Sequence, residues 1–130
     1  MIATSDLKGD EPQLTGCRVL LVEDGYFVAD DLRRALERCG AEVIGPVPTL
    51  DRALPLAESE ELTCAVLDIN LRGESGLKVA EVLQRRNVPF IYSTGYSRTS
   101  IPEALKGRAH LEKPFRMGEL LRAVGKVVRR

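Results

Sequence analysis

The chain alternates between short apolar runs and longer stretches in which apolar residues recur at helical spacing. Five runs predict strands, at about residues 18–22, 42–44, 64–68, 90–93 and 110–112. The first is apolar on both faces, as a central strand of a parallel sheet is. Strands that alternate with helices predict right-handed crossovers and a sheet covered on both faces. We therefore expect an α/β fold of flavodoxin-like type with strand order 2-1-3-4-5.

The clearest helical stripes lie near the two ends of the chain. In the first helix, opened by Gly25 and stopped by Gly40, the inward positions are Val28, Leu32, Ala35, Leu36 and Cys39. In the last helix they are Met117, Leu120, Leu121, Val124, Val127 and Val128. Arg129 and Arg130 follow, which favours a helix end because basic side chains suit the negative end of the helix dipole.

The central helices are less regular. Thr49 is a candidate cap for a helix from residue 50 to about 59, which we expect to be short, kinked or poorly formed because it contains Pro55. A loop at 70–75 precedes the third helix, for which Ser75 is the candidate N-cap, with Leu77, Ala80 and Leu83 facing inward. Residues 94–108 carry the weakest helical signal, so the fourth helix is expected to be short or mobile.

Charge and composition exclude several classes of protein. The 130 residues include 19 basic and 19 acidic side chains, a balance that provides no electrostatic case for nucleic acid or an anionic membrane as a partner. No apolar run approaches the roughly 20 residues of a membrane span, and the start lacks a secretory signal. We expect a cytoplasmic protein with a flexible tail at residues 1–15 and one domain at 16–130. Its three cysteines, Cys17, Cys39 and Cys64, are expected to be reduced core residues.

Acidic residues follow the first and third predicted strands. Glu23 and Asp24 come directly after one apolar run, and Asp68 ends the other. Parallel strands place their carboxyl ends at one edge, so the three carboxylates should lie together and repel one another. A hard cation such as Mg²⁺ would supply the counter-charge, with Asp24, Asp68 and the backbone carbonyl of Asn70 as direct ligands and Glu23 reached through water. The simpler alternative is that Glu23 and Asp24 are polar residues at the start of a loop.

A carboxylate beside magnesium can attack phosphorus and form an acyl phosphate. Asp68 is therefore our candidate nucleophile. Lys113 and Thr94 follow the fifth and fourth predicted strands, where a lysine would neutralise one phosphoryl oxygen and a hydroxyl would donate a hydrogen bond to another. The alternatives are a solvated surface lysine and an ordinary strand-end threonine.

Four short motifs in this order resemble the receiver domain of two-component response regulators. They are Glu23-Asp24, Leu67-Asp68-Ile69-Asn70, Ser93-Thr94-Gly95 and Lys113-Pro114-Phe115. The resemblance covers about residues 17–130. It implies a five-stranded receiver fold, Mg²⁺, a cis Lys113–Pro114 bond, and transfer of a phosphoryl group to Asp68 from a histidine kinase or a histidine phosphotransfer protein.

The chain departs from the family pattern where phosphorylation is read out. Receivers usually have tyrosine or phenylalanine three positions before the lysine, and here the residue is His110. We interpret it as a partly exposed residue of the output face rather than a pH sensor. The stretch 89–96 resembles a subfamily of stand-alone alphaproteobacterial regulators whose motif is Phe-Ala-Thr-Gly-Gly/Tyr, with Tyr92 and Ser93 at its first two positions. Tyr96 is then a candidate aromatic reporter of phosphorylation.

The expected function is that of a single-domain response regulator, not an enzyme with an outside substrate, that acts by protein contact or phosphate flow and is monomeric. Three alternatives stay open. One is a pseudo-receiver that binds partners without accepting phosphate, and another is a receiver fragment of a larger regulator. The third is a phosphatase of the haloacid dehalogenase type. That class requires a second acid two residues after the nucleophile, where this chain has Asn70.

Overall fold

The computed structural model describes residues 11–95, 105 and 108–129. One sheet contains the five predicted strands, all parallel to their neighbours. We number them in chain order: β1 is Arg18–Val22, β2 is Glu42–Val47, β3 is Cys64–Asp68, β4 is Phe90–Thr94 and β5 is His110–Glu112. Their order across the sheet is β2-β1-β3-β4-β5, so the predicted flavodoxin-like fold and its strand order are confirmed.

Helices cover both faces of this sheet. They are α1 (Tyr26–Arg38), α2 (Leu50–Ser59), α3 (Leu77–Arg85) and the C-terminal helix (Met117–Val128). α2 and α3 pack against one face through a core that includes Leu20, Leu67 and Tyr92. α1 and the C-terminal helix pack against the other face, over Leu21 and Ile91. Alternate residues of the strands therefore enter two separate cores, which explains why the central strands are apolar throughout.

The inward face of α1 begins one residue later than predicted. Val28 is 40% exposed, so its assignment to the core is wrong, whereas Ala29 is buried. Ala29, Leu32 and Leu36 follow one another at intervals of three and four, which keeps them on a single helical face. Val28 is turned about 100° away from that face because each residue of an α-helix advances by this angle.

β2 is longer than predicted and passes through Gly45 and Pro46, which we expected to end it. Gly45 has a positive φ of 109°, and a Cβ there would lie 2.8 Å from the carbonyl oxygen of Leu21. The register with β1 shifts between Leu20 and Val22, so the ladder absorbs this irregularity and resumes at Val47. The Gly45–Pro46 peptide bond is cis.

The predicted cap of α2 is confirmed, because the backbone N–H of Arg52 donates to the Thr49 hydroxyl at 3.4 Å. Pro55 does not interrupt this helix, which is continuous over ten residues, so the expectation of a poorly formed helix is wrong. Pro55 itself is exposed, and the side that faces the sheet presents Ala53 and Ala57 instead. The buried face of α2 is therefore free of the proline ring.

The segment between β3 and α3 is more ordered than the predicted loop. Asn70–Leu71 and Glu74–Ser75 form a two-stranded antiparallel hairpin. Gly76, rather than Ser75, is the N-cap of α3. The Ser75 hydroxyl still accepts a hydrogen bond from the Leu77 N–H at 3.1 Å. Ser75 therefore supports the start of the helix from the position before the N-cap rather than from the N-cap itself.

Residues 11–15 pack against the domain, although we expected them to belong to a flexible tail. Leu14 is completely buried, and its N–H donates to the carbonyl oxygen of Cys39 at 2.8 Å. Glu11 forms an ion pair with Arg38 at 2.8 Å. Packing against the core therefore begins before residue 16.

Two predictions fall on positions outside the described residues: Tyr96 and most of the fourth helix expected between residues 94 and 108. All three cysteines are free, and Cys39 and Cys64 are buried while Cys17 is half-buried. Burial raises the pKa of the Cys64 thiol to about 12, which keeps it protonated. Among the helices described, none combines the length and the apolar character needed to cross a membrane.

Candidate functional site

Three carboxylates meet at the carboxyl ends of β1 and β3. Ligand oxygens of Glu23, Asp24 and Asp68 all lie within 4.8 Å of one another. Glu23 and Asp68 are each only 4% exposed, and Asp24 is half-buried. With Lys113, which contacts two of them, these residues form what we call the acid pocket.

Backbone N–H groups orient each carboxylate of the acid pocket. Gly25 donates to Glu23 at 3.0 Å, and Arg72 donates to Asp24 at 3.1 Å. The N–H of Asn70 donates to Oδ1 of Asp68 at 2.9 Å. Gly25 follows β1, and Asn70 and Arg72 belong to the hairpin segment that follows β3, so backbone groups beyond the strand ends orient all three carboxylates.

Lys113 supplies the positive charge of the acid pocket. Its Nζ lies 2.8 Å from Oδ2 of Asp68 and 3.1 Å from the Glu23 carboxylate. The lysine directly follows β5, and its backbone N–H donates to the carbonyl oxygen of Thr94 at 2.8 Å. The Lys113–Pro114 bond is cis, as the family resemblance implied.

The electrostatics of the acid pocket leave an excess of negative charge. Burial, aided by the negative charge of Asp68, raises the pKa of Glu23 above its ordinary value despite the hydrogen bond from Gly25. Burial alone would lower the pKa of Lys113, but its hydrogen bonds and charge interactions with Asp68 and Glu23 raise it. Among the described residues, the single charge of Lys113 is set against three carboxylates, so an additional cation would be stabilised there. The all-oxygen donor set fits a hard divalent ion such as Mg²⁺.

Thr94 lies at the end of β4, the strand beside the one that carries Asp68. Asp68 pairs with Ser93 in the ladder, which brings Thr94 to the rim of the acid pocket. The Oγ1 atom of Thr94 is buried and has no hydrogen-bond partner among the described residues. A hydroxyl in this state is available to donate to a bound group.

His110 lies opposite Tyr92 in the parallel ladder between β4 and β5. The two rings stack with centroids 5.0 Å apart and an angle of 28° between their planes. His110 as a whole is half-buried, and its Nε2 atom, which is buried, has no hydrogen-bond partner within the described part of the chain. We call Tyr92, Thr94 and His110 together the β4–β5 face.

Sequence reasoning missed two contributors to the site. A Cβ on Gly76 would lie 2.6 Å from the carbonyl oxygen of Asp68, so only glycine lets the start of α3 approach the end of β3 this closely. Tyr92 was read only as part of a subfamily motif, yet it packs against His110. The signal for Gly76 was present, because a glycine that precedes a helix next to a strand end often marks a close backbone approach.

Comparisons with known proteins agree with this architecture. The family model described as response regulator receiver domain matches residues 19–125. The transcriptional regulatory protein PdtaR of Mycobacterium tuberculosis is 28% identical over 117 residues, which are 87% of this chain but 57% of that protein. The chain therefore spans little more than half the length of that relative.

Solved structures extend the comparison to three dimensions. SdrG from Sphingomonas melonis Fr1 is 36% identical, with a TM-score of 0.76, and the match covers 89% of this chain and 98% of that one. A response regulator protein from Burkholderia pseudomallei, solved with a phosphorylated aspartic acid, a calcium ion and citrate, is 29% identical with a TM-score of 0.71. That match covers 82% of this chain and 65% of the other.

Proposed function

Because the chain belongs to the response regulator receiver domain family, we propose that it accepts a phosphoryl group on Asp68 from a histidine kinase or a histidine phosphotransfer protein. The observation that carries this proposal is the contact of Asp68 with Lys113 at 2.8 Å, inside a buried cluster of carboxylates. The solved relative from Burkholderia pseudomallei contains a phosphorylated aspartic acid, which supports the same chemistry here.

In the proposed transfer, an oxygen of the Asp68 carboxylate forms a bond to phosphorus while the bond from phosphorus to the donor imidazole nitrogen breaks. The imidazole leaves with the bonding electrons. Negative charge is spread over the three remaining phosphoryl oxygens, so stabilisation depends on charges and hydrogen-bond donors already in place. Lys113 neutralises part of this charge, and the Thr94 hydroxyl, unpartnered among the described residues, donates a hydrogen bond to a phosphoryl oxygen.

Glu23, Asp24, Asp68 and the backbone carbonyl of Asn70 are the groups that we propose to hold Mg²⁺. When bound, the ion would neutralise charge on both the carboxylates and the incoming phosphate. Glu23 and Asp68 are equally buried, and the Glu23 carboxylate accepts a hydrogen bond from the Gly25 N–H. We therefore assign Glu23 as a fixed acceptor for metal-bound water.

We further propose that the protein acts in the cytoplasm as a monomeric, stand-alone regulator. Its output would then be contact with a downstream protein or onward transfer of the phosphoryl group, and its chemistry would be limited to its own phosphorylation and dephosphorylation. The match to SdrG, which covers 98% of that chain, supports the stand-alone part of this proposal.

The test is incubation of the purified chain with magnesium and acetyl phosphate, followed by intact mass measurement. We expect an increase corresponding to one phosphoryl group that does not form when magnesium is chelated beforehand and is absent in Asp68→Asn. Asp51→Asn, a change of an exposed aspartate on α2, is the matched control and should retain the increase. An unchanged mass in the unaltered protein, or an increase that persists in Asp68→Asn, would contradict the proposal.

A further inference from the structure

Two buried polar atoms of the β4–β5 face are without a hydrogen-bond partner among the described residues. They are Oγ1 of Thr94 and Nε2 of His110. Folded proteins leave few such atoms, because each one has lost its hydration without gaining a hydrogen bond. Finding two of them next to the acceptor site suggests that both are satisfied in another state of the protein.

The strand register places these two side chains diagonally on the same face of the sheet. Tyr92 lies opposite His110, and Thr94 lies opposite Glu112. Residues two apart on a strand point to the same side, so Thr94 and His110 share the side on which Tyr92 packs. Diagonal neighbours on adjacent strands are about 7–8 Å apart at their backbones, a separation that an imidazole ring can span.

Stacking on Tyr92 restrains the imidazole at this position. Tyr92 is 2% exposed, and its hydroxyl donates to the carbonyl oxygen of Leu105 at 3.5 Å. The ring of His110 therefore lies against a fixed partner, on the side of the sheet that also carries the Thr94 side chain.

We propose that His110 is a positioning residue that holds Thr94 against the phosphoryl group. In the phosphorylated state, Nε2–H of His110 donates to Oγ1 of Thr94 while the Thr94 hydroxyl donates to a phosphoryl oxygen on Asp68. A hydroxyl has one donor and two lone pairs, so both bonds form at once. Linked hydrogen bonds polarise and strengthen each other in a buried setting. This inference rests on the proposed phosphorylation of Asp68.

This arrangement requires a proton on Nε2, as the Nε2–H tautomer or the imidazolium provides. A phenylalanine at the same position would stack on Tyr92 but has no N–H to donate. The proposed relay therefore depends on the N–H of His110, and a stacked ring without a donor would not reproduce it.

Nuclear magnetic resonance of the imidazole tests the relay directly, because His110 is the only histidine in the chain. The full chain, labelled with ¹⁵N, is measured with magnesium before and after addition of beryllium fluoride, a stable mimic of the phosphoryl group. We expect an Nε2 resonance of the protonated type that moves on addition. The movement should survive in Thr94→Ser and disappear in Thr94→Val, which is nearly the same shape but lacks the hydroxyl.

Affinity for beryllium fluoride supplies the second measurement. His110→Phe preserves a stacked ring, yet we expect it to weaken binding about threefold to tenfold, the range of one neutral hydrogen bond. In the Thr94→Val background the same change should have no further effect, because the relay is already broken. His110→Gln, which restores an N–H donor, should recover part of the loss.

The outcomes separate this relay from the proposed function. If acetyl phosphate adds no mass at Asp68, the relay and the proposed function are both overturned, since Thr94 then has no phosphoryl oxygen to bind. If the mass increases but the Nε2 resonance stays constant, or moves equally in Thr94→Val, the relay alone is overturned. Additive losses in His110→Phe and Thr94→Val would overturn it as well.

Discussion

The acid pocket and the β4–β5 face lie side by side at one edge of the sheet, yet they differ in how their buried polar atoms are satisfied. In the acid pocket, Lys113 contacts both Asp68 and Glu23, and backbone N–H groups hold the carboxylates. On the β4–β5 face, within the described residues, Thr94 and His110 each have a buried atom without a partner. The carboxylates of the first region are already oriented before any ligand arrives, whereas the two polar atoms of the second have no partner among the described residues.

This difference separates the two tasks expected of a receiver. A group that accepts phosphate gains from charges that are already oriented, because no reorganisation is then needed during transfer. A group that reports phosphate gains from hydrogen bonds that form only afterwards, since a ligand shifts an equilibrium only through interactions that differ between the two states. Substitutions in the acid pocket should therefore alter the resting protein strongly, and substitutions on the β4–β5 face should hardly alter it.

The largest effect on the resting protein is expected from Lys113→Met. Glu23 and Asp68 would lose their shared counter-charge, and leaving buried charges unpaired costs about 3 kcal/mol of the free energy of unfolding. Urea denaturation without divalent metal measures this loss. Lys126→Met, on the exposed side of the C-terminal helix, should stay within about 0.5 kcal/mol of the unaltered chain. Equal losses in the two variants would contradict a special role for Lys113.

The difference in stability between the unaltered chain and Lys113→Met should depend on pH in a defined way. The pKa of Lys113 is raised in the folded state, so its stabilisation is complete below the ordinary lysine pKa and is lost as the pH rises through the raised value. The difference in stability between the unaltered chain and Lys113→Met should thus be constant near neutral pH and shrink only in strongly alkaline solution. A difference that shrinks between pH 6 and about 8 would show that another group controls it.

The next largest effect is expected from Gly76→Ala. The added methyl would lie 2.6 Å from the carbonyl oxygen of Asp68, so the backbone on one side must shift, at a cost of about 2 kcal/mol. Gly95→Ala is the matched control, because no atom of the described residues lies within 4 Å of a Cβ there. Thermal unfolding compares the two. If both alanines had the same effect, the close approach of α3 to β3 would not constrain the acid pocket.

A smaller change of opposite sign is expected from Glu23→Gln. The pKa of Glu23 is raised on folding, so the folded state binds its proton more tightly and the charged form reduces stability above that pKa. Removing the charge should raise the midpoint of thermal unfolding by about 3 °C at pH 7, with the gain fading as the pH falls through the raised pKa and absent below about pH 4. Glu81→Gln, at an exposed position on α3, should show no such gain. A pH-independent gain would rule out the charge as its cause.

The smallest effect is expected from Thr94→Val. Its hydroxyl has no partner among the described residues, so removing it breaks no hydrogen bond there and should not lower the free energy of unfolding. Thr63→Val makes the same chemical change where the hydroxyl accepts a hydrogen bond from the Arg18 N–H at 3.0 Å, and it should cost about 1 kcal/mol. A larger loss in Thr94→Val than in Thr63→Val would erase the contrast between the two regions.

The sheet and the clustering of the acids were predictable from sequence because both follow from local patterns. Apolar runs mark the strands, and parallel strands must bring Glu23, Asp24 and Asp68 to one edge. The motif that contains Lys113 added the cis peptide bond through family resemblance, and the structure confirms that bond. The functional roles assigned to these residues remain predictions.

Features that depend on contacts between distant segments were not predictable. Nothing in the local sequence shows that Leu14 packs into the core, since its contacts, among them the hydrogen bond to the carbonyl of Cys39, are with residues distant in the chain. The error at Val28 has a similar cause, because helical periodicity gives spacing but does not decide which of two adjacent residues faces the sheet. The stacking of Tyr92 on His110 needed the register between β4 and β5, which sequence patterns do not specify.

The outer strands of the sheet carry a consequence for association with other chains. An open sheet presents unpaired backbone groups along both margins, where foreign strands can add and seed aggregation. At one margin, β2 contains Pro46, which has no N–H to offer, and its ladder is irregular beside Gly45. At the other margin, β5 is only three residues long. Neither outer strand offers a long, regular row of unpaired backbone groups to a strand of another chain. The two outermost strands therefore protect the sheet against edge-to-edge polymerisation.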